Sequence, residues 1–179
     1  VEKFLMARRL MYWQVYLHKT SLVAELILTN TLKRAKELYQ KGIKIDCSEN
    51  LLFFIENKIS LTDFNDAILD KFAQLDDTDI IGAIKQWQSH QDFTLSSLSK
   101  MIINRDLLKI KMNEEKFSSE QVHSLVAQFS KENNIGLQES KYFVFKGKIR
   151  NQAYSKLAEP IRILKKDGSI EDVALISDQ

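Results

Sequence analysis

Arg8-Arg9-Leu10-Met11-Tyr12-Trp13-Gln14-Val15-Tyr16-Leu17-His18-Lys19-Thr20 puts charged, aromatic and titratable side chains on a segment otherwise apolar enough to be core. Read as α-helix at about 100° per residue, it brings Arg8, Tyr12, Tyr16 and Lys19 within roughly 80° of one another. Two cations and two phenols then share one stripe, which predicts a buried polar site suited to phosphate. Arg8 offers a planar fork that pairs two ways with a phosphate, whereas Lys19 is a point charge. His18 falls roughly 80° to 160° from that stripe and needs a separate role. The same spacing also describes snorkelling or hydrogen-bonded residues of a long packed helix, and spacing alone leaves both readings open.

The helical reading extends outward from this stretch. Leu22, Val23, Leu26 and Ile27 continue the apolar spacing, and Lys33, Arg34 and Lys36 place cations where the helix dipole favours them. Gly42 is a natural stop, so one helix is predicted from about Phe4 to Lys41. Ser48 can cap a helix bearing Leu51, Leu52, Phe54 and Ile55, and Thr62 or Asp63 a short one bearing Phe64, Ala67 and Ile68. Asp76-Asp77-Thr78 opens a helix through Ile80, Ile81, Ile84 and Trp87, and a further helical piece runs from about Thr94 to Asn104.

From Asp106 the pattern changes. Leu107 to Met112 alternates as a half-buried strand does, and Ser118-Ser119-Glu120-Gln121 starts a helix through Val122, Leu125, Val126 and Phe129. Lys141 to Lys146 reads as a strand, and Ile161 to Leu164 with Ile170 to Leu175 as a hairpin around Asp167-Gly168. The fold class is therefore α+β. A mainly helical part over 1–105 is followed by a small α+β subdomain over 106–179, for which the strand order suggests a ferredoxin-like arrangement.

Composition narrows the function classes. The 179 residues are 44% hydrophobic and 28% charged, as in an ordinary globular protein, with five glycines and one proline in keeping with long helices. A net charge of +2 gives no global field to gather nucleic acid, so nucleic-acid binding is not expected. Cys47 is the sole cysteine and reads as a free structural thiol in a reducing, cytoplasmic setting. No apolar run approaches the ~20 residues of a membrane span, and no membrane partner is expected.

The run Ala7-Arg8-x-x-Met11-Tyr12-Trp13-x-Val15-Tyr16-x-His18-Lys19-Thr20 resembles the segment that follows the catalytic core in HD-superfamily phosphohydrolases. These are bacterial relatives of the sterile-alpha-motif and HD-domain dNTP triphosphohydrolase. Leu75-Asp76-Asp77-x-Asp79-Ile80, Ile84-Lys85-x-Trp87, Asn104-Arg105, Pro160-Ile161-Arg162-Ile163 and Asp167-Gly168-Ser169-Ile170 match in order, so the likeness spans nearly the whole chain. The resemblance implies a deoxynucleotide substrate, with Arg8 contacting triphosphate and Tyr16 the sugar. It implies a regulatory nucleotide or subunit interface at His18 and Lys19, and a homo-oligomer. Leu17 stands where the vertebrate relative carries Gln, so any polar contact from that position is lost.

HD enzymes hold a divalent metal with a His, an adjacent His-Asp pair and a distant Asp, a donor set suited to activating water. No His-Asp dipeptide occurs here. His18, His90 and His123 are 72 and 33 residues apart, and His90-Gln91-Asp92 is not a match. No catalytic or metal-ligating residue is therefore expected in this segment, and the metal is expected in an upstream HD core of the same chain. Val1 opens in mid-pattern without Met, cap or turn, and the expectation is a C-terminal fragment, inactive alone. Two other readings stay open: a regulatory or oligomerisation module that binds nucleotide, and a nucleic-acid adaptor using the cations and aromatics of Lys141 to Arg150.

Overall fold

The computed structural model describes residues 2–113, 115–147 and 162–172. The chain divides into two compact units, Leu22–Lys146 and Val1–Ser21 with Gly147–Gln179. The elements are α-helical with one short hairpin, in keeping with an α+β class. Among the described residues no helix is long and apolar enough to cross a membrane.

The larger unit is built along α2 (Lys19–Gln40). Its buried stripe, Val23, Ile27, Thr31, Arg34, Ala35 and Leu38, repeats at helical spacing and faces two adjoining cores. In the first, Ala35 and Leu38 meet Ile45, Leu51 and Ile55 of α3 (Glu49–Glu56), Ala83, Ile84 and Trp87 of α5 (Asp77–Trp87), and Leu95 of α6 (Phe93–Asn104). Trp87 fills its centre, and its indole N–H donates to the Asp46 carbonyl at 2.9 Å, so its one polar atom is satisfied. In the second, Val23 and Ile27 meet Leu98 and Phe143, whose ring stacks on Phe129 of α7 (Ser119–Asn133) at 4.9 Å. Residues on both sides of position 105 share this second core.

Side chains outside each helix set where it begins. Ser48 accepts from Leu51 N, Asp92 from Leu95 N, and Asp76 and Ser118 each form a reciprocal capping box, with Asp79 and Gln121. Gly42, at φ 80°, follows the end of α2 as predicted. The short helix after α3 differs from expectation. It is α4 (Asp66–Ala73), capped by Asn65, while Thr62 and Asp63 are held in a turn by Ser60.

The two strands predicted in this unit are not strands. Leu107 and Leu108 are consecutive and both pack against the second core, which a period-2 element cannot do. Tyr142 and Phe143 likewise both pack there, in turns closed by hydrogen bonds from Tyr142 N to Glu139 O and Phe143 N to Ser140 O, after α8 (Leu137–Ser140). The described residues therefore lack the β-α-β crossover of a ferredoxin-like arrangement.

The smaller unit contains α1 (Glu2–Met11), a π-helical turn (Tyr12–Tyr16) and a hairpin. Strands β1 (Arg162–Leu164) and β2 (Ile170–Asp172) pair antiparallel, with Ile163 opposite Glu171. The turn lies at Asp167-Gly168 as predicted: Gly168 sits at φ 84°, and the Asp167 carboxylate accepts from both the backbone and the hydroxyl of Ser169. Ile161 and residues 173–175 of the predicted hairpin lie outside the described residues.

The single helix predicted from Phe4 to Lys41 is interrupted. Leu17 N donates to Tyr12 O at 2.8 Å, a five-residue step, and α2 begins afresh at Lys19. The restart has its own cap, because His18 Nδ1 accepts from Thr20 N at 3.3 Å. The aromatic and β-branched residues of Tyr12–Tyr16 give α-helix less support than their neighbours, and the turn widens there.

Candidate functional site

In the smaller unit the stripe predicted from spacing survives in part. The Arg8 guanidinium carbon lies 5.8 Å from the centroid of the Tyr12 ring, and the Tyr12 and Tyr16 rings are 5.1 Å apart at 52°. The three groups form one line of a cation and two phenols. Arg8 is exposed and Tyr16 is 54% exposed, so the line is a surface feature and not the buried site predicted. The Arg8 guanidinium has the geometry to fork onto a phosphate, and the two ring faces can receive a sugar or base.

Lys19 does not join them. The break at Leu17-His18 starts a new helix with its own phase, and among the described residues no hydrogen bond or ring contact links Lys19 to the line. His18 and Lys19 are both exposed, at the start of α2. As a cap His18 uses Nδ1 for Thr20, which leaves Nε2 as the donor available to a ligand.

The described residues do not assemble a metal centre. Among the described residues no three His, Cys, Asp or Glu side chains converge. His18 and His90 each spend Nδ1 on a backbone N–H two residues on, and His123 is exposed on α7.

In the larger unit the structure assembles a polar cluster that sequence reading did not find. Arg34, only 6% exposed, forks onto Asp92 through Nε at 3.1 Å and a terminal nitrogen at 2.7 Å. Its other terminal nitrogen reaches Glu37 at 3.2 Å, Glu139 lies 3.8 Å away, and the Tyr142 ring lies 5.7 Å from the guanidinium carbon. Hydrogen bonding to Asp92 leads the forces that raise Arg34 above its ordinary range, against its own burial. Burial works against the Asp92 charge, yet the Arg34 bond, the Leu95 N–H and the charges of Arg34 and His90 together hold its carboxyl below the usual range. Burial, then Glu37, pushes the Tyr142 phenol up. The cluster joins α2, the start of α6 and the segment after α8, and with Nε and both terminal nitrogens of Arg34 bonded to Asp92 and Glu37 it is built as a clamp. Arg34 lies on the Ile27-Thr31-Leu38 buried stripe, the one signal that could have identified it.

Other charged features are likewise occupied. An open cleft of about 630 Å³ runs past Lys44, Asp46, Trp87, His90 and Asp92, but both signs of charge line it and Lys44 already pairs with Asp46 at 2.8 Å. In the Lys141 to Arg150 strip, Phe143 is buried and the Tyr142 ring covers Arg34, so neither is free to stack on a base. Lys148 and Arg150 lie outside the described residues.

No family model matches the chain. It is 34% identical over 110 residues to the uncharacterized protein YwfO of Bacillus subtilis (strain 168), a match covering 61% of this chain and 24% of that protein. It also superposes, with a TM-score of 0.85 and 44% sequence identity, on the crystal structure of a phosphohydrolase from Bacteroides thetaiotaomicron. That superposition takes in 99% of this chain and 44% of the other. In sequence and in fold the chain is thus similar to less than half of a longer phosphohydrolase.

Proposed function

We propose that this chain is the C-terminal portion of an HD-type, metal-dependent phosphohydrolase acting on deoxynucleoside triphosphates. The observation that carries this reading is its 44% identity and 0.85 TM-score to a solved phosphohydrolase over 99% of its length. The divalent metal and the water it would activate are assigned to an upstream HD core, a reading supported by the lack of three converging His, Cys, Asp or Glu side chains among the described residues. Arg8 binds phosphate oxygens, and the exposed face of Tyr16 packs on the sugar, where a ring close to C2′ leaves little room for a 2′-hydroxyl. Tyr12, between them, keeps the guanidinium and the second phenol in line. His18 and Lys19 form part of a second, regulatory nucleotide contact or a subunit interface in a homo-oligomer.

The test compares the intact polypeptide carrying this segment with its Arg8→Ala and Tyr16→Phe variants, using a panel of ribo- and deoxynucleoside triphosphates and a divalent metal. Metal-dependent release of phosphate or triphosphate is expected, and Arg8→Ala should lower it at least 100-fold, in line with losing a charged positioning group. The 179-residue chain alone should show none. Hydrolysis by the chain alone, or an intact protein indifferent to Arg8→Ala, refutes the assignment. Nucleotide binding without hydrolysis by the intact protein points instead to a regulatory module.

A further inference from the structure

Asp167 is the one Asp or Asn in the sequence that a glycine follows. Glycine has no Cβ to shield its amide, so the Gly168 nitrogen has open access to the preceding side-chain carboxyl. The turn that holds the pair is exposed from Lys166 to Ile170. Within it, Asp167 Oδ1 accepts from the Ser169 N–H at 2.9 Å and from the Ser169 hydroxyl at 2.7 Å. The Gly168 N–H donates to Lys165 O at 3.0 Å, and the Lys165 N–H donates to Ser169 O at 2.8 Å. The carboxyl and the amide that would react with each other are thus both engaged elsewhere, the carboxyl by the residue beyond the glycine.

We propose that Asp167 is a site of spontaneous isoaspartate formation in this protein, and that Ser169 slows the reaction by engaging the carboxyl. The Gly168 nitrogen gives its proton to solvent and bonds to Asp167 Cγ, while a hydroxyl leaves Cγ as water and a five-membered succinimide closes. Water then opens the ring. Addition at Cγ restores aspartate, whereas addition at the main-chain carbonyl carbon breaks the original peptide bond and leaves the chain running through Cγ. The net reaction is an isomerisation that consumes no oxidant, metal or partner. Only a neutral carboxyl loses its hydroxyl as water. The Ser169 hydroxyl, then its N–H, holds the Asp167 carboxyl below the usual carboxylate range, which keeps the neutral form scarce near neutral pH. The isomer adds one main-chain carbon between Lys165 and Ser169, where the hairpin closes through its two turn hydrogen bonds and the Lys165–Glu171 ion pair at 2.6 Å. A two-stranded hairpin is marginal by itself, so the modified turn loosens the pairing of β1 with β2. This inference does not depend on the hydrolytic reading.

The test incubates the wild-type chain, Ser169→Ala, Ser169→Thr and Asp167→Glu at about pH 6 and 37 °C, where a carboxyl is mostly ionised. Isoaspartate is read by enzymatic methylation of the freed α-carboxyl and placed by electron-transfer fragmentation in the mass spectrometer. The wild-type chain should gain label slowly at residue 167, and Ser169→Ala about threefold faster or more, the ratio set by how far the hydroxyl depresses the carboxyl. Ser169→Thr keeps a hydroxyl and should stay near wild type. Asp167→Glu, which requires a six-membered ring, should gain none there. The lead of Ser169→Ala should shrink as pH falls into the carboxylate range, where both proteins hold the neutral acid, a trend that a merely loosened turn does not produce. Absence of label at residue 167 from both wild type and Ser169→Ala, or equal rates in the two, overturns the proposal.

Discussion

Replacing Arg34 by Met tests whether the acid-lined clamp holds the larger unit together. Met keeps most of the side-chain volume but leaves the Asp92 carboxylate, with 17% of its side chain exposed, without its forked partner. Removing one member of a buried pair costs about 3–5 kcal/mol, chiefly because the other charge stays buried. The low end applies here, since Asp92 keeps the Leu95 N–H at 2.8 Å and Glu37 is half exposed. Arg34→Met should therefore cost about 3 kcal/mol, or roughly 6–12 °C in Tm for a protein of this size. Asp92→Asn retains a helix-capping oxygen and should cost about 1–2 kcal/mol. Urea unfolding of the two single variants and the double variant gives a coupling energy, expected at about 1.5–3 kcal/mol. A single-variant loss below about 1 kcal/mol for Arg34→Met, or a coupling near zero, refutes the clamp.

The same cluster predicts how stability depends on pH. Asp92 is held below its ordinary value, so its contribution is fully present above the usual carboxylate range and is lost as pH falls through the depressed value; an acid unfolding limb that Asp92→Asn flattens is the expected result. Tyr142 is raised, so its contribution is present below about pH 10 and is lost as pH climbs beyond, and Tyr142→Phe should remove that alkaline loss. Asp76 accepts from Thr78 N at 2.7 Å and Asp79 N at 3.2 Å, and thermal melts of Asp76→Ala should show a loss of about 1 kcal/mol that Asp76→Asn largely avoids. Burial, with Asp46 and Asp79 nearby, pushes the Cys47 thiol up, so alkylation by iodoacetamide at pH 8 should be severalfold slower than for a free cysteine and equal to it only after unfolding.

Local chemistry was readable along the chain. Ser48, Asp76 and Ser118 are caps because a short oxygen-bearing side chain before an apolar periodic run satisfies amides that the helix cannot, and each helix starts there. Asp167-Gly168 turns a hairpin because Gly takes the positive φ that the turn demands. The line of Arg8, Tyr12 and Tyr16 follows from spacing of four residues, which a single turn of either helix type brings together. The motif that holds these residues is the first of the stretches on which the expected family likeness rests, and the 44% identity to a solved phosphohydrolase supports that likeness as far as phosphohydrolase.

Tertiary structure decided the rest. Whether Leu107-Leu108 and Tyr142-Phe143 would be strands depended on a core that takes both neighbours of each pair, a demand that alternation along the chain does not reveal. Arg34 and Asp92 are 58 residues apart, and nothing local to either announces the other. A cation among the charges that close a helix looks solvated until the packing of α2 against α6 removes its water and leaves an acid as its one adequate partner. Sequence alone determined where α3, α5 and α7 start, where the hairpin turns and that Arg8, Tyr12 and Tyr16 share a line, because those depend on neighbours a few bonds away. Which stripe is buried, which charge is paired and which apolar face is left bare were settled only when distant segments competed for the same core.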